Sequence, residues 1–156
     1  MDHLEELCEI EAIKQLKYRY IRCIDEKLWD EMEQCFTPSA TCTYSGGKYA
    51  FEGRDAIMKF LVGAMDRGSF LSSHRVHQPE IRLDGPTTAK GTWALDDYVI
   101  DTKLGITLQG AAFYHDDYVK TEAGWKIEHT GYERTFEQVQ PRADHGWTLT
   151  DRRFSD

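Results

Sequence analysis

No run of about 18 apolar residues occurs anywhere in the chain, so no segment reads as a transmembrane helix. A basic cluster is missing too: among 156 residues, Lys and Arg number 19 against 27 Asp and Glu, a formal net charge of −8. Phosphate recognition needs a basic face, so this balance argues against a nucleic-acid partner and equally against an anionic membrane surface. The plain reading of the acidity is solubility. A secretory signal needs a basic start and a continuous apolar stretch. The opening MDHLEELCEIEAIK has neither, and the cytoplasm is the expected compartment. The four cysteines, Cys8, Cys23, Cys35 and Cys42, form no CxxC pair and no metal-ligand spacing. They are read as reduced, mostly buried thiols. Internal repeats and low-complexity tracts are likewise absent.

What is present is an ordinary globular composition, 40% apolar and 29% charged with both signs mixed. The length suits one domain with a substantial core. Apolar residues recur at three- and four-residue steps through Ile10, Ile13, Leu16, Tyr20, Ile24 and Leu28, predicting one long amphipathic helix over 6–28. A short helix over about 28–35 follows. Alternating Thr and Tyr before Gly46-Gly47 predict a strand and a hairpin turn, with the return over 48–51. RDAIMKFLVGAM (54–65) is a third helix. From there the period becomes two, with strands near 73–83, 88–101, 106–120 and 125–137 separated by turn chemistry in LDGPTT and TEAG. Helices first and sequential strands afterwards imply an α+β fold. A curved antiparallel sheet packs with the N-terminal helices into a cone enclosing a cavity. One domain is expected over 1–137, followed by a tail over 138–156 with no period.

Chemistry shows where polar residues fall on inward positions. At about 100° per residue, Asp25 lies some 60° from Ile10, just inside the apolar stripe. It sits near a helix C-terminus, where the macrodipole disfavours an anion. It either caps the following turn or meets a partner elsewhere. In GTWALDD, Asp97 shares a face with Trp93 and Leu95 unless a bulge intervenes. A buried lone carboxylate costs several kcal/mol, so an inward Asp97 needs a donor. In SSHRVH, His74 and Val76 take one face and Arg75 and His77 the other, so one histidine points inward. It is either a satisfied core residue or a base with the carboxylates as partners. In GWKIEHTGYERTFE the phase slips between Ile127 and Tyr132, and Gly131 is the natural site for a bulge. Past the slip, Arg134 shares a face with Tyr132 and Phe136, available to pair with Asp25 or Asp97 or to bind an anionic ligand group.

EAIKQLKYRYIRCIDEKLWDEM, YSGGK, SSHRVHQPEI, GTWALDD, GAAFYHDDYVK and GWKIEHTGYER, in this order, resemble the SnoaL-like branch of the nuclear-transport-factor-2 superfamily. Within that branch they resemble the bile acid 7α-dehydratases. The likeness runs over about 9–137. It implies a cystatin-like, NTF2-like α+β barrel. It also implies a catalytic set of Tyr20 and Asp25 on the first helix, His74, Asp97 and Arg134. Tyr44, Trp93, Phe113 and Tyr132 are the candidate substrate contacts. VIDTKLGITLQ (99–109) and the tail depart from the family pattern, so the reaction type transfers further than the substrate, which is a bile acid, another steroid or a polycyclic alcohol.

The resemblance implies a hydro-lyase that needs no cofactor and no metal and eliminates water from a hydroxylated carbonyl compound. His74 would be the base, Asp25 or Asp97 would fix its tautomer, and Tyr20 would meet developing oxygen charge. His74, once protonated, or Asp97 would protonate the departing hydroxide, and Arg134 would organise the carboxylates. An isomerase or cyclase on an enolisable polycyclic substrate and a ligand-binding protein without turnover are the alternatives. Tyr98, Ile100, Tyr114 and Tyr118 are expected on the outer face of the sheet. Together with the resemblance they imply a homo-oligomer, a trimer before a dimer.

Overall fold

A computed structural model describes residues 2–144 and 146–155; Met1, His145 and Asp156 lie outside the described residues. The elements are α1 (His3–Glu26), α2 (Trp29–Glu33), β1 (Phe36–Tyr44), β2 (Tyr49–Glu52), α3 (Arg54–Met65), β3 (Phe70–Leu83), β4 (Thr88–Asp101), β5 (Ile106–Thr121) and β6 (Gly124–Pro141), closed by a 3-10 turn at Arg142–Asp144. Residues 146–155 form no helix or strand.

The first helix starts earlier than its apolar period suggests because Asp2 and Glu5 form a reciprocal capping box, each side chain accepting the other's backbone N–H at 2.8 Å. It ends where Lys27 turns left-handed at φ 56° and Leu28 N–H returns to the Cys23 carbonyl at 2.9 Å. That reversal leaves Asp25 in the last turn, facing β3.

The six strands form one curved, unclosed sheet in the order β2-β1-β6-β5-β4-β3, so β2 and β3 are edges and the barrel does not close. β3 to β6 make the expected antiparallel meander, but β1 pairs with β6 in parallel. Helices α1 and α3 cover the inner face. Ile13, Leu16, Tyr20 and Ile24 pack with Trp93, Leu95, Tyr114 and Ile127 in the core. Among the described residues all four cysteines are free. Burial pushes the thiols of Cys23 and Cys42 up to about 11 and that of Cys35 up to about 12, which makes them poor nucleophiles. No helix is long and apolar enough to cross a membrane among the described residues.

β4 keeps strict alternation from Thr88 to Asp101, with Trp93, Leu95 and Asp97 all inward. β6 does not. Glu128 and Thr135 are each an extra residue opposite β5, so the phase slips twice. Gly131 is in regular register with His115. Its bare Cα answers a different demand: a Cβ there would lie 2.3 Å from Thr43 Oγ1 and 2.6 Å from the Thr43 carbonyl on β1. The second slip turns Phe136 outward, 52% exposed, so it does not share the inner face of Tyr132 and Arg134. On β5 the even positions point inward. Tyr114 and Tyr118 are therefore buried core residues and not part of the outer face.

Candidate active site

A cavity of about 380 Å³ opens between α1, α3 and the sheet. Tyr20, Tyr44, His74, Asp97, Tyr132 and Arg134 all line it. Asp25 does not. It stands behind His74, in a separate surface groove that also reaches Ser72 and Arg75.

Asp25 is the best-held carboxylate on α1. Its oxygens accept from Ser72 Oγ at 2.9 Å, from the His74 backbone N–H at 2.8 Å and from His74 Nδ1 at 2.7 Å. Arg75 Nη1 approaches at 3.5 Å. None of these partners belongs to the turn after α1, so Asp25 joins the helix end to β3 and is not a cap. An ionised carboxylate only accepts, so Nδ1 carries the proton and the opposite ring nitrogen, Nε2, is left as the lone-pair site of neutral His74. The ring is positioned twice, through its own backbone and through its side chain. His77, on the outward phase, meets Asp96 at 3.3 Å instead.

Asp97 and Arg134 form a two-pronged ion pair, Nη1 to Oδ1 at 2.5 Å and Nη2 to Oδ2 at 2.9 Å. Burial works against the Arg134 charge, but the Asp97 contacts outweigh it and the guanidinium is held above its ordinary value. Gly110 makes room for the pair: a Cβ there would fall 2.3 Å from Arg134 Nη1 and 2.7 Å from Asp97 Oδ1. Across the cavity, the Tyr20 and Tyr44 hydroxyls are hydrogen-bonded at 2.9 Å, and Ser45 Oγ donates to Tyr132 at 3.1 Å. Burial pushes the phenols of Tyr20 and Tyr44 well above their ordinary value, so both remain neutral hydroxyls that give or share a proton without ionising. Phe60 stacks on Tyr44, Tyr49 and Phe51 with interplanar angles of 25°, 30° and 28°, making one wall aromatic.

Two expected substrate contacts do not reach the cavity. Trp93 is inward but lies deeper in the core, its Nε1 donating to Tyr118 OH at 2.9 Å and its ring edge-on to Tyr18. Phe113 occupies an odd position on β5 and points outward, 48% exposed.

A family model described as a SnoaL-like domain matches residues 5–131. The chain belongs to this SnoaL-like family. One relative, uncharacterized protein Rv2910c of Mycobacterium tuberculosis (strain ATCC 25618 / H37Rv), is 27% identical over 117 residues, covering 74% of this chain and 78% of that protein. Two solved structures share the fold. One is a candidate scytalone dehydratase from Novosphingobium aromaticivorans, at TM-score 0.78 and 24% identity, covering 85% of this chain and 88% of that one. The other is a hexachlorocyclohexane dehydrochlorinase, LinA type 2, at TM-score 0.82 and 12% identity, covering 96% and 98%. These likenesses establish the SnoaL-like architecture. They do not reach the resemblance to bile acid 7α-dehydratases.

Alternation also marks two inward acids that the sequence reading passed over. Asp101 shares the phase of Asp97 on β4, lines the cavity, and binds Arg67 at 3.1 and 2.6 Å. Those hydrogen bonds hold its carboxyl below the ordinary value. Asp116 shares the phase of Tyr114 and Tyr118 on β5 and meets the buried Lys17 at 2.7 Å. The argument that singles out Asp97 finds both when carried along each strand. Among the described residues no group of three or more His, Cys, Asp or Glu side chains is arranged to hold a metal ion.

Proposed function

We propose that the protein is a lyase that eliminates water from a hydroxylated, polycyclic carbonyl compound. The observation that carries this reading is the Asp25–His74 pair: a partly buried carboxylate fixing Nδ1 of a histidine in the wall of an aromatic-lined cavity. Nε2 takes a proton from a carbon acidified by the neighbouring carbonyl. The electrons pass through the enolate, whose oxygen the tyrosine hydroxyls at Tyr20 and Tyr44 receive. The C–O bond on the next carbon then breaks, and the departing hydroxide takes the proton from the imidazolium to leave as water. Arg134 restrains Asp97 and presents the pair to substrate oxygens. Asp97 is occupied on both oxygens, which leaves His74 as the group that returns the proton.

The cavity volume falls in the range of pockets that enclose drug-sized ligands. It suits a fused ring system. A bile acid or related steroid is the substrate suggested by the sequence resemblance, and the dehydratase and dehydrochlorinase of this fold support elimination as the reaction class. Incubating the purified protein, without added cofactor, with hydroxylated steroid and polycyclic ketones should yield products lighter by one water in mass spectrometry. A product of unchanged mass would replace the lyase reading with an isomerase. Tight binding of the same compounds with no product would replace it with a binding protein.

We also propose that the chain acts as a cytoplasmic homotrimer joined through the outer sheet face. Phe113 and Phe136 are each about half exposed there. Leaving such area in water costs roughly 25 cal/mol per Å². Sedimentation equilibrium at micromolar concentration should give a multiple of the 18.1 kDa chain mass. A clean monomer would remove the proposal.

A further inference from the structure

Beneath the cavity floor lies a polar cluster that the proposed reaction leaves unused. Lys17, one turn before Tyr20 on α1, has no exposed surface. Its Nζ lies 2.7 Å from Asp116 Oδ2, 3.5 Å from the centroid of the Tyr114 ring and 4.7 Å from that of Tyr20. Asp116 is enclosed as well. It accepts from Tyr118 OH and Thr130 Oγ1, each at 2.7 Å, and Tyr118 in turn accepts from Trp93.

Stability is a poor reason for such a pair. Removing two charges from water is expensive, and well-packed apolar side chains of similar volume usually serve a core as well or better. The arrangement is also directional. Tyr20 and Tyr114 line the cavity, while Lys17 and Asp116 do not. The carboxylate is also bound by Tyr118 and Thr130, and the ammonium rests on the ring faces, whose electron density attracts a cation. The pair is therefore a buried dipole with its positive end against the tyrosine floor. Burial pushes the Lys17 ammonium below its ordinary value, and Asp116 opposes that shift. The Asp116 charge also disfavours an anion at Tyr20 and Tyr114. Lys17 is the charge in direct contact with the Tyr114 ring, 3.5 Å from its centroid, and Coulomb attraction falls with distance.

We infer that Lys17 is a positioning residue for an anionic oxygen: with Asp116 behind it, it makes the Tyr20–Tyr114 floor a subsite for enolate or phenolate ligands. A cation on the ring face withdraws density from the phenol, which makes its hydroxyl a stronger donor, and attracts an anion on the cavity side. The assignment rests on the elimination reading in so far as an enolate forms during turnover, but the subsite itself is a binding property.

The test uses two probes of nearly equal shape, 2-naphthol, which ionises, and 2-methoxynaphthalene, which does not. Both are titrated by fluorescence at neutral pH, and the red-shifted naphtholate absorption reports the bound ionisation state. The wild type should bind 2-naphthol partly as naphtholate. Lys17→Met/Asp116→Asn removes both charges while keeping the volume. It should lose the naphtholate band and weaken 2-naphthol binding by about tenfold, with 2-methoxynaphthalene changed by less than about twofold. Equal weakening of both probes would reduce the pair to a structural role. Absence of bound naphtholate in the wild type would overturn the inference without any variant. Should the double variant fail to fold, Lys17→Arg, which keeps the charge, must retain the band. A missing water-loss activity would leave these binding results standing, so the two readings fail separately.

Discussion

Replacing His74 by alanine should reduce turnover by about 10² to 10⁴, the usual contribution of a positioned general base, while the fold persists. His74 is the only imidazole lining the cavity among the described residues, and no other residue there offers a neutral nitrogen base. Burial holds Tyr20, Tyr44 and Tyr114 neutral, Asp97 is paired on both oxygens, and the arginines are cations. Truncation removes one of the contacts to Asp25. Ser72 Oγ and the residue-74 backbone N–H remain to hold that carboxylate, so the helix–strand junction should survive. The check is the rate on any substrate the wild type dehydrates, alongside thermal unfolding. More than about a tenth of the wild-type rate would take His74 out of the mechanism.

Asp25→Asn should be nearly as damaging, and for a different reason. The carboxylate meets only donors: a hydroxyl, a backbone N–H and a ring N–H, with a guanidinium nearby. An amide keeps one acceptor oxygen and brings two N–H groups. Whichever way it turns, an N–H faces another N–H, either the backbone of His74 or its Nδ1. The first outcome leaves a partly buried donor unsatisfied, at about 1–3 kcal/mol. The second forces the other tautomer and puts a proton on Nε2, which disables the base. The expected result is a rate loss of about 10² or more with a lowered Tm. An active, fully stable Asn variant would show that Asp25 neither orients the base nor ties α1 to β3.

The inward placement of Asp25, Asp97 and one histidine follows from local periodicity, because burial repeats every two residues on a strand and every three to four on a helix. The choice between His74 and His77 needs only that parity plus one neighbour of known phase, Val76. Parity fails where the strand is not regular. The slip in β6 is visible between Ile127 and Tyr132, but the second, at Thr135, is not, since the sequence on either side of it carries no contradiction. Parity therefore puts Phe136 on the inner face, whereas the bulge at Thr135 turns it outward. Trp93 shows a different limit. Its inward direction is correct, but direction says nothing about depth, and the cavity ends above it. Tyr114 and Tyr118 carry large polar-tipped rings that suit either a rim or a core. Only their neighbours Lys17, Asp116 and Trp93 make them core.

By itself the sequence determined the elements, their order and the positions at which a polar side chain must face inward, because these depend on interactions within a few residues. The tertiary structure decided the partners: Asp25 with His74, Asp97 with Arg134, and Lys17 with Asp116. It also decided the parallel placement of β1 beside β6, which brings Tyr44 to Tyr20 and Tyr132. Each of those contacts joins residues tens of positions apart. Which carboxylate meets which cation depends on strand register, two bulges and the angle at which α1 crosses the sheet, and no local period encodes these.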